Sequence, residues 1–184
     1  MPTLLRYVVA TLISIAVIST SVVADINPSY DFLDAIRDNN LKEVSESLRK
    51  GVSPDTRTRT DGDPALVIAA RVGNPAIIKL ILEAGANPNI SDRSRGETAL
   101  LSSALTGNRE AVRLLLEAGA DPDQTDRSVE TPLIRAVRAR KHSIAKLLID
   151  AGANPELADV TGNNAIDYAR MSRSRRMMSL FSDQ

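Results

Sequence analysis

Apolar residues fall in adjacent pairs one helical turn apart at Ile77, Ile78, Ile81 and Leu82, and again at Ala111, Val112, Leu115 and Leu116. That spacing gathers each set on one face of a helix. A shorter, Ala-rich helix precedes each of these, opening at phrases such as Glu97-Thr98-Ala99-Leu100 and Glu130-Thr131-Pro132-Leu133. The Thr hydroxyl can accept a hydrogen bond from the first free amides of the helix. Pro132 falls at the first helical position, where no intrahelical bond is lost. Gly73 and Gly107 are placed to end the first helix in the left-handed conformation. Gly85, Gly119 and Gly152 stop the second helix, and Pro88, Pro122 and Pro155 stiffen the extended exit. Arg140 stands where a glycine would end the first helix of the next unit. Either its φ turns positive at a cost of roughly 1 kcal/mol, or the loop is remodelled.

These helix pairs recur. Gly51, Gly85, Gly119 and Gly152 are spaced by 34, 34 and 33 residues, within the phrases SLRKGVSPD, LILEAGANPN, LLLEAGADPD and LLIDAGANPE. A second phrase keeps the same register, as DGDPALVIAARVGN, RGETALLSSALTGN, VETPLIRAVRARK and the shortened TGNNAIDYAR. A fixed period near 33 marks a stacked array, whose single unit cannot bury its apolar face alone. The chain divides into an N-terminal cap at 29–55, repeats at 56–89, 90–123 and 124–155, and a C-terminal cap at 156–184. The first cap keeps helix patterning in Phe32, Ile36, Leu41, Val44 and Leu48; the last carries Arg170, Arg173, Arg175 and Arg176.

The phrases, glycines and spacing strongly resemble the ankyrin repeat, from about Ser29 to the C-terminus. The resemblance implies an all-α solenoid of helix-turn-helix units joined by β-hairpin-like finger loops. It also implies a cupped shape, with fingers and first helices inside and second helices on the convex back. The family's phrase carries a His that ties neighbouring units together. Here Val67, Leu101, Ile134 and Asp167 stand at those positions, so apolar packing is expected to replace most of that tie.

The first 24 residues read differently. A basic start at Arg6, an apolar run of 12 residues from Tyr7 to Ile18, and Val22 and Ala24 ahead of Asp25 are the three parts of a secretory signal peptide. Residues 1–24 are therefore expected to be removed, leaving a domain at 25–184 in the periplasm or secreted. The competing reading is an uncleaved anchor helix and a membrane-anchored scaffold.

Composition narrows the function. The chain has no Cys, no Trp, 2 Phe and 3 Tyr, and its 23 Lys+Arg balance 23 Asp+Glu. A thiol nucleophile or a Cys-bound metal is excluded. Neutral charge and scarce aromatics argue against nucleic acid as a partner. His142, the only His, is expected at the start of an outer helix as a bystander. Ser143-Ile144-Ala145-Lys146 matches a Ser-x-x-Lys acylation motif without its companion motifs, on a convex face where no pocket is expected. Asp121, Asp123 and Asp126 lack the spacing of a calcium loop. The expectation is a non-enzymatic chain with no cofactor, no metal site and no catalytic residue.

A binding role is then the reading, with fingers at 56–63, 90–97, 124–130 and 157–163. Arg59, Arg93 and Arg127 hold the same offset in three successive fingers, the last two inside the repeated triplets Asp92-Arg93-Ser94 and Asp126-Arg127-Ser128. Arg57 and Arg95 extend this line, and Arg71 and Arg138 lie near the ends of first helices. Acids are expected on the opposite edge, at Glu83, Glu117, Asp150, Asp55, Asp121 and Asp123. Such a basic ladder suits a protein partner with an acidic surface, bound by a monomer through bidentate Arg–carboxylate contacts. The alternative is that these arginines are solvated and serve solubility. Among binding roles, an accessory factor for an envelope enzyme competes with an immunity-type inhibitor of an effector.

Overall fold

The computed structural model describes residues 27–182. The expected signal segment and its cleavage point after Ala24 lie outside these residues. Among the described residues ten α-helices follow one another as five hairpins: α1 (Pro28–Arg37) with α2 (Leu41–Arg49), α3 (Ala65–Val72) with α4 (Pro75–Glu83), α5 (Ala99–Thr106) with α6 (Arg109–Glu117), α7 (Pro132–Arg138) with α8 (His142–Asp150), and α9 (Ala165–Met171) with α10 (Arg175–Met178). A 3-10 turn at Ser179–Phe181 closes the stack. No strand forms among the described residues. The fingers carry only isolated antiparallel bridges, Arg57 to Pro64 and Ser91 to Thr98.

The local chemistry explains the hairpins. Thr98 and Thr131 accept from the Leu101 and Ile134 amides and cap α5 and α7, with Pro132 at the first helical position. Asn40, Asn74, Asn108 and Ser174 cap the second helices in the same way; Lys141, at the corresponding place before α8, makes no side-chain cap. Every first helix ends on a left-handed residue, Asn39, Gly73, Gly107, Arg140 or Arg173. Arg140 therefore keeps the turn at φ 56° instead of remodelling it, and as a non-glycine residue it carries about 1–2 kcal/mol of strain.

First helices stack on first helices (α1, α3, α5, α7, α9) and second helices on second helices (α2, α4, α6, α8). Ala65, Ala69, Ala99, Ala104, Ala136 and Ala165 are buried at the close contacts, where small side chains let neighbouring backbones approach. Phe32, Ile36, Ile77, Ile78, Ile81, Leu115 and Leu148 fill the layer between the two stacks. Val67, Leu101 and Ile134 are fully buried, so apolar packing does replace the expected His at three positions, while Asp167 closes a capping box with Asn164.

Polar ties between units come from other residues. The Asp55, Asn89 and Asp123 side chains, one period apart, accept from the amides of Asn87 (3.0 Å), Asp121 (2.7 Å) and Asn154 (2.9 Å) in the next loop. Asp121 accepts from the Asp123 amide within its own turn, so these two acids serve loop closure and loop-to-loop bonding.

Candidate functional site

Three of the four fingers are folded by one oxygen of an acidic side chain. Asp92 Oδ1 accepts from the amides of Arg95 (2.6 Å) and Gly96 (3.0 Å), and Asp126 Oδ1 from those of Ser128 (2.8 Å) and Glu130 (2.9 Å). Asp159 Oδ1 binds the Thr161 amide at 2.8 Å, and in the first finger Thr58 Oγ1 plays the part for Asp63. The second carboxylate oxygen is then free to reach a first helix. Asp92 Oδ2 accepts from Arg71 (2.6 Å), Asp126 Oδ2 from Arg135 (2.6 Å) and Asp159 Oδ2 from the Tyr168 hydroxyl (2.6 Å).

From these turns a charge network runs along the first-helix face. Arg71 meets Asp63 at 2.6 Å and Glu97 at 2.8 Å; Glu97 reaches Arg135 at 2.7 Å; Arg135 continues to Asp126 and Glu130, and Glu130 to Arg138. Side-chain exposure is 6% for Glu97 and 11% for Arg135 but 49% for Arg138, so the network is buried at its centre, open at its Arg138 end, and spans three consecutive hairpins. Burial would raise the Glu97 pKa, but hydrogen bonds and charge from Arg71 and Arg135 outweigh it and hold the carboxylate below its usual range. Asp92 is lowered as well, with burial opposed by the Arg95 and Glu97 amides and the Arg71 charge. Asp159 falls to about 2, since hydrogen bonds from Thr161 and Tyr168 exceed the cost of its burial.

The seven arginines expected to form one basic ladder therefore divide into two groups. Arg71, Arg95 and Arg138 pair with carboxylates: Arg95 with Glu97 (3.2 Å) and Asp92 (3.9 Å), and Arg138 with Glu130 while stacking 5.2 Å from the Tyr168 ring centroid. Arg57, Arg59, Arg93 and Arg127 have no carboxylate partner among the described residues. Arg57 donates to the carbonyls of Gly62 (2.9 Å) and Ser91 (2.8 Å), and Arg127 to the Arg93 carbonyl. The Arg93 side chain lies over Gly62 and that of Arg127 over Gly96, where a Cβ would stand only 2.6 Å from Arg93 Cδ and 3.3 Å from the Arg127 amide nitrogen. At the next step Val129 replaces the glycine, at φ 57°, and Val160 replaces the arginine.

The expectation that acids keep to the opposite edge is corrected: Asp63, Asp92, Glu97, Asp126 and Glu130 lie among the arginines. Arg135 and Glu97 are the residues the sequence reading missed. The signal was the register of Asp63, Glu97 and Glu130, each standing just before the N-cap position of a first helix. On the back of the molecule, a shallow cavity of about 240 Å³ holds Arg109, His142, Ser143, Lys146 and Arg176, where no pocket was expected. Lys146 lies 3.0 Å from Asp150 there, an exposed ion pair one helical turn apart.

A family model for ankyrin repeats in three copies matches residues 32–126, and a second, for many copies, matches residues 108–149. A comparison with curated proteins found no match. Three hairpins in the same register, their left-handed turns one period apart and a match over more than half of its length agree: the chain belongs to the ankyrin-repeat family.

Proposed function

We infer that this chain, as an ankyrin-repeat protein, is a protein-protein interaction module. We propose that it works in the cell envelope as a non-catalytic monomer that binds an acidic protein partner through its fingers. One observation carries the choice of surface: Arg57, Arg59, Arg93 and Arg127 lack carboxylate partners among the described residues, whereas the arginines of the first helices are neutralised by neighbours. Of the candidate arginines, those still open to an acidic partner are thus all on the fingers. The ion-paired first helices fix that surface in advance and limit the ordering cost of docking. The basic, apolar and small-residue segments of residues 1–24 support export.

The test uses protein recovered from cells expressing the full chain. Partner retention from an envelope extract is compared between the wild type and Arg59→Glu/Arg93→Glu/Arg127→Glu. Loss of a specific partner on charge reversal is expected; undiminished retention would refute the finger surface. Intact mass on the same material should place the N-terminus at Asp25, and a retained Met1 would refute cleavage in favour of an anchor.

A further inference from the structure

Where α1 meets the first finger, the first-helix face opens into a cavity of about 250 Å³ bordered by Tyr30, Leu33, Arg57, Thr58 and Arg59. That volume lies below the roughly 300–1,000 Å³ of pockets built for drug-sized ligands. It suits a single large side chain. Leu33 is buried and supplies an apolar wall, while Tyr30 remains 42% exposed. Arg59 lies 5.3 Å from the Tyr30 ring centroid, a cation–π arrangement that holds the guanidinium at the mouth. Arg57 is fixed beside it by its two carbonyl acceptors. The third cation at the rim, Arg37, is matched by Asp34 at 2.8 Å. The cavity thus joins an apolar interior to two cations without carboxylate partners among the described residues, and Arg93 follows one finger further along.

We propose that this cavity is the anchor site for an acidic segment of the partner protein. One apolar side chain of the segment enters between Tyr30 and Leu33, and the carboxylates that follow it meet Arg59 and then Arg93. The proposal rests on the finger-binding reading above and names the kind of segment bound. A protein segment fits better than a single-stranded nucleic acid. Stacked-base recognition uses several open aromatic faces, and here Arg59 already covers one face of Tyr30, the one aromatic ring lining the cavity.

The probe is a random heptapeptide library displayed on phage, selected against the protein recovered from cells expressing the full chain. Enriched peptides are synthesised and titrated against wild type, Tyr30→Ala, Arg59→Glu and the distant control Arg176→Glu. The expected result is a motif with one large apolar residue followed by Asp or Glu. Its affinity should fall at least about tenfold in Arg59→Glu and in Tyr30→Ala, and hold in the control. Arg59 is an exposed loop residue, so Arg59→Glu keeps its fold and decides the matter even if Tyr30→Ala does not. No enriched motif, a motif without acids, or a peptide bound equally by Arg59→Glu would overturn the anchor site. Tight binding of a labelled oligonucleotide in place of peptide would overturn it too. Partner loss in the triple charge reversal, with no motif from the library, would remove the anchor site and leave the finger interface standing.

Discussion

Removing the Glu97 carboxylate tests whether the buried charge network holds the hairpins together. Its Oε2 accepts from Arg71 Nε (3.0 Å) and Nη2 (2.8 Å) and from Arg95 (3.2 Å), and its Oε1 accepts from Arg135 (2.7 Å). Breaking a buried ion pair by deleting its sole counter-ion costs about 3–5 kcal/mol. Here neither guanidinium is stranded, because Arg71 keeps Asp63 and Asp92 while Arg135 keeps Asp126 and Glu130. The exposed Arg95 contact adds little. Glu97→Ala should therefore cost about 2–3 kcal/mol, near the upper range for a hydrogen-bonded charge. A domain of this size melts about 2–4 °C lower for each kcal/mol lost, so a drop of about 4–12 °C is expected. Urea unfolding followed by circular dichroism measures the same loss, and a lowered m-value would show the stack separating into parts. The pH dependence gives a second check. Because the folded-state pKa of Glu97 lies below its unfolded value, its stabilisation is complete above the unfolded pKa and is lost as pH falls through the folded one. The gap between wild type and Glu97→Ala should thus be full at neutral pH and close in acid. A double-mutant cycle with Arg135→Ala should give a coupling of about 1 kcal/mol or more. A loss under about 1 kcal/mol with an unchanged m-value would refute the structural role of the network.

Other outcomes follow from single sites. Ser103 is fully buried and its hydroxyl has no partner among the described residues, so Ser103→Ala should raise stability by about 1 kcal/mol in urea unfolding; a loss would mean the hydroxyl is satisfied. Val129 holds φ 57° with a β-branched side chain, and Val129→Gly should gain about 1 kcal/mol, a result refuted by a lower melting point. Leu115 is fully buried between units, so Leu115→Ala should cost about 2–5 kcal/mol by the same assay. Asp159 has its pKa depressed to about 2, so the stability difference between wild type and Asp159→Asn should be complete above the unfolded-state value near 4 and shrink as pH falls toward about 2. A difference independent of pH across acid melting curves would rule out its ionised role.

The helices and turns were legible because their determinants are local. Thr98 and Thr131 cap within three residues, and the positive φ at Gly73 and Gly107 needs no knowledge of the rest of the chain. Arg140 could be placed but not resolved from sequence, since the choice between strain and a remodelled loop depends on how firmly neighbouring hairpins hold the turn. The site was legible in half. Arg59, Arg93 and Arg127 repeat at one offset and were readable as finger residues, but their acidic neighbours were not read as counter-ions. Glu97 lies 26 residues from Arg71 and 38 from Arg135, so their contact exists only once three hairpins have stacked. Arg135 also shares its register with Ile68, Ser102 and Tyr168, and no repeated arginine marks the place.

The packing of one finger's arginine over the previous finger's glycine has a consequence for how the array could be lengthened. The repeat at 90–123 carries both halves of the fit, Arg93 and Gly96, and a tandem copy of it would meet its neighbours on either side without conflict. The repeat at 124–155 offers Arg127 to the finger before it but Val129 to the one after, so a second copy would press an arginine against a side chain where the backbone now passes. Growth by duplication is easier at the middle of this solenoid than one unit later, where the neighbouring finger must give by a few tenths of an ångström, so the order of its modules is not neutral.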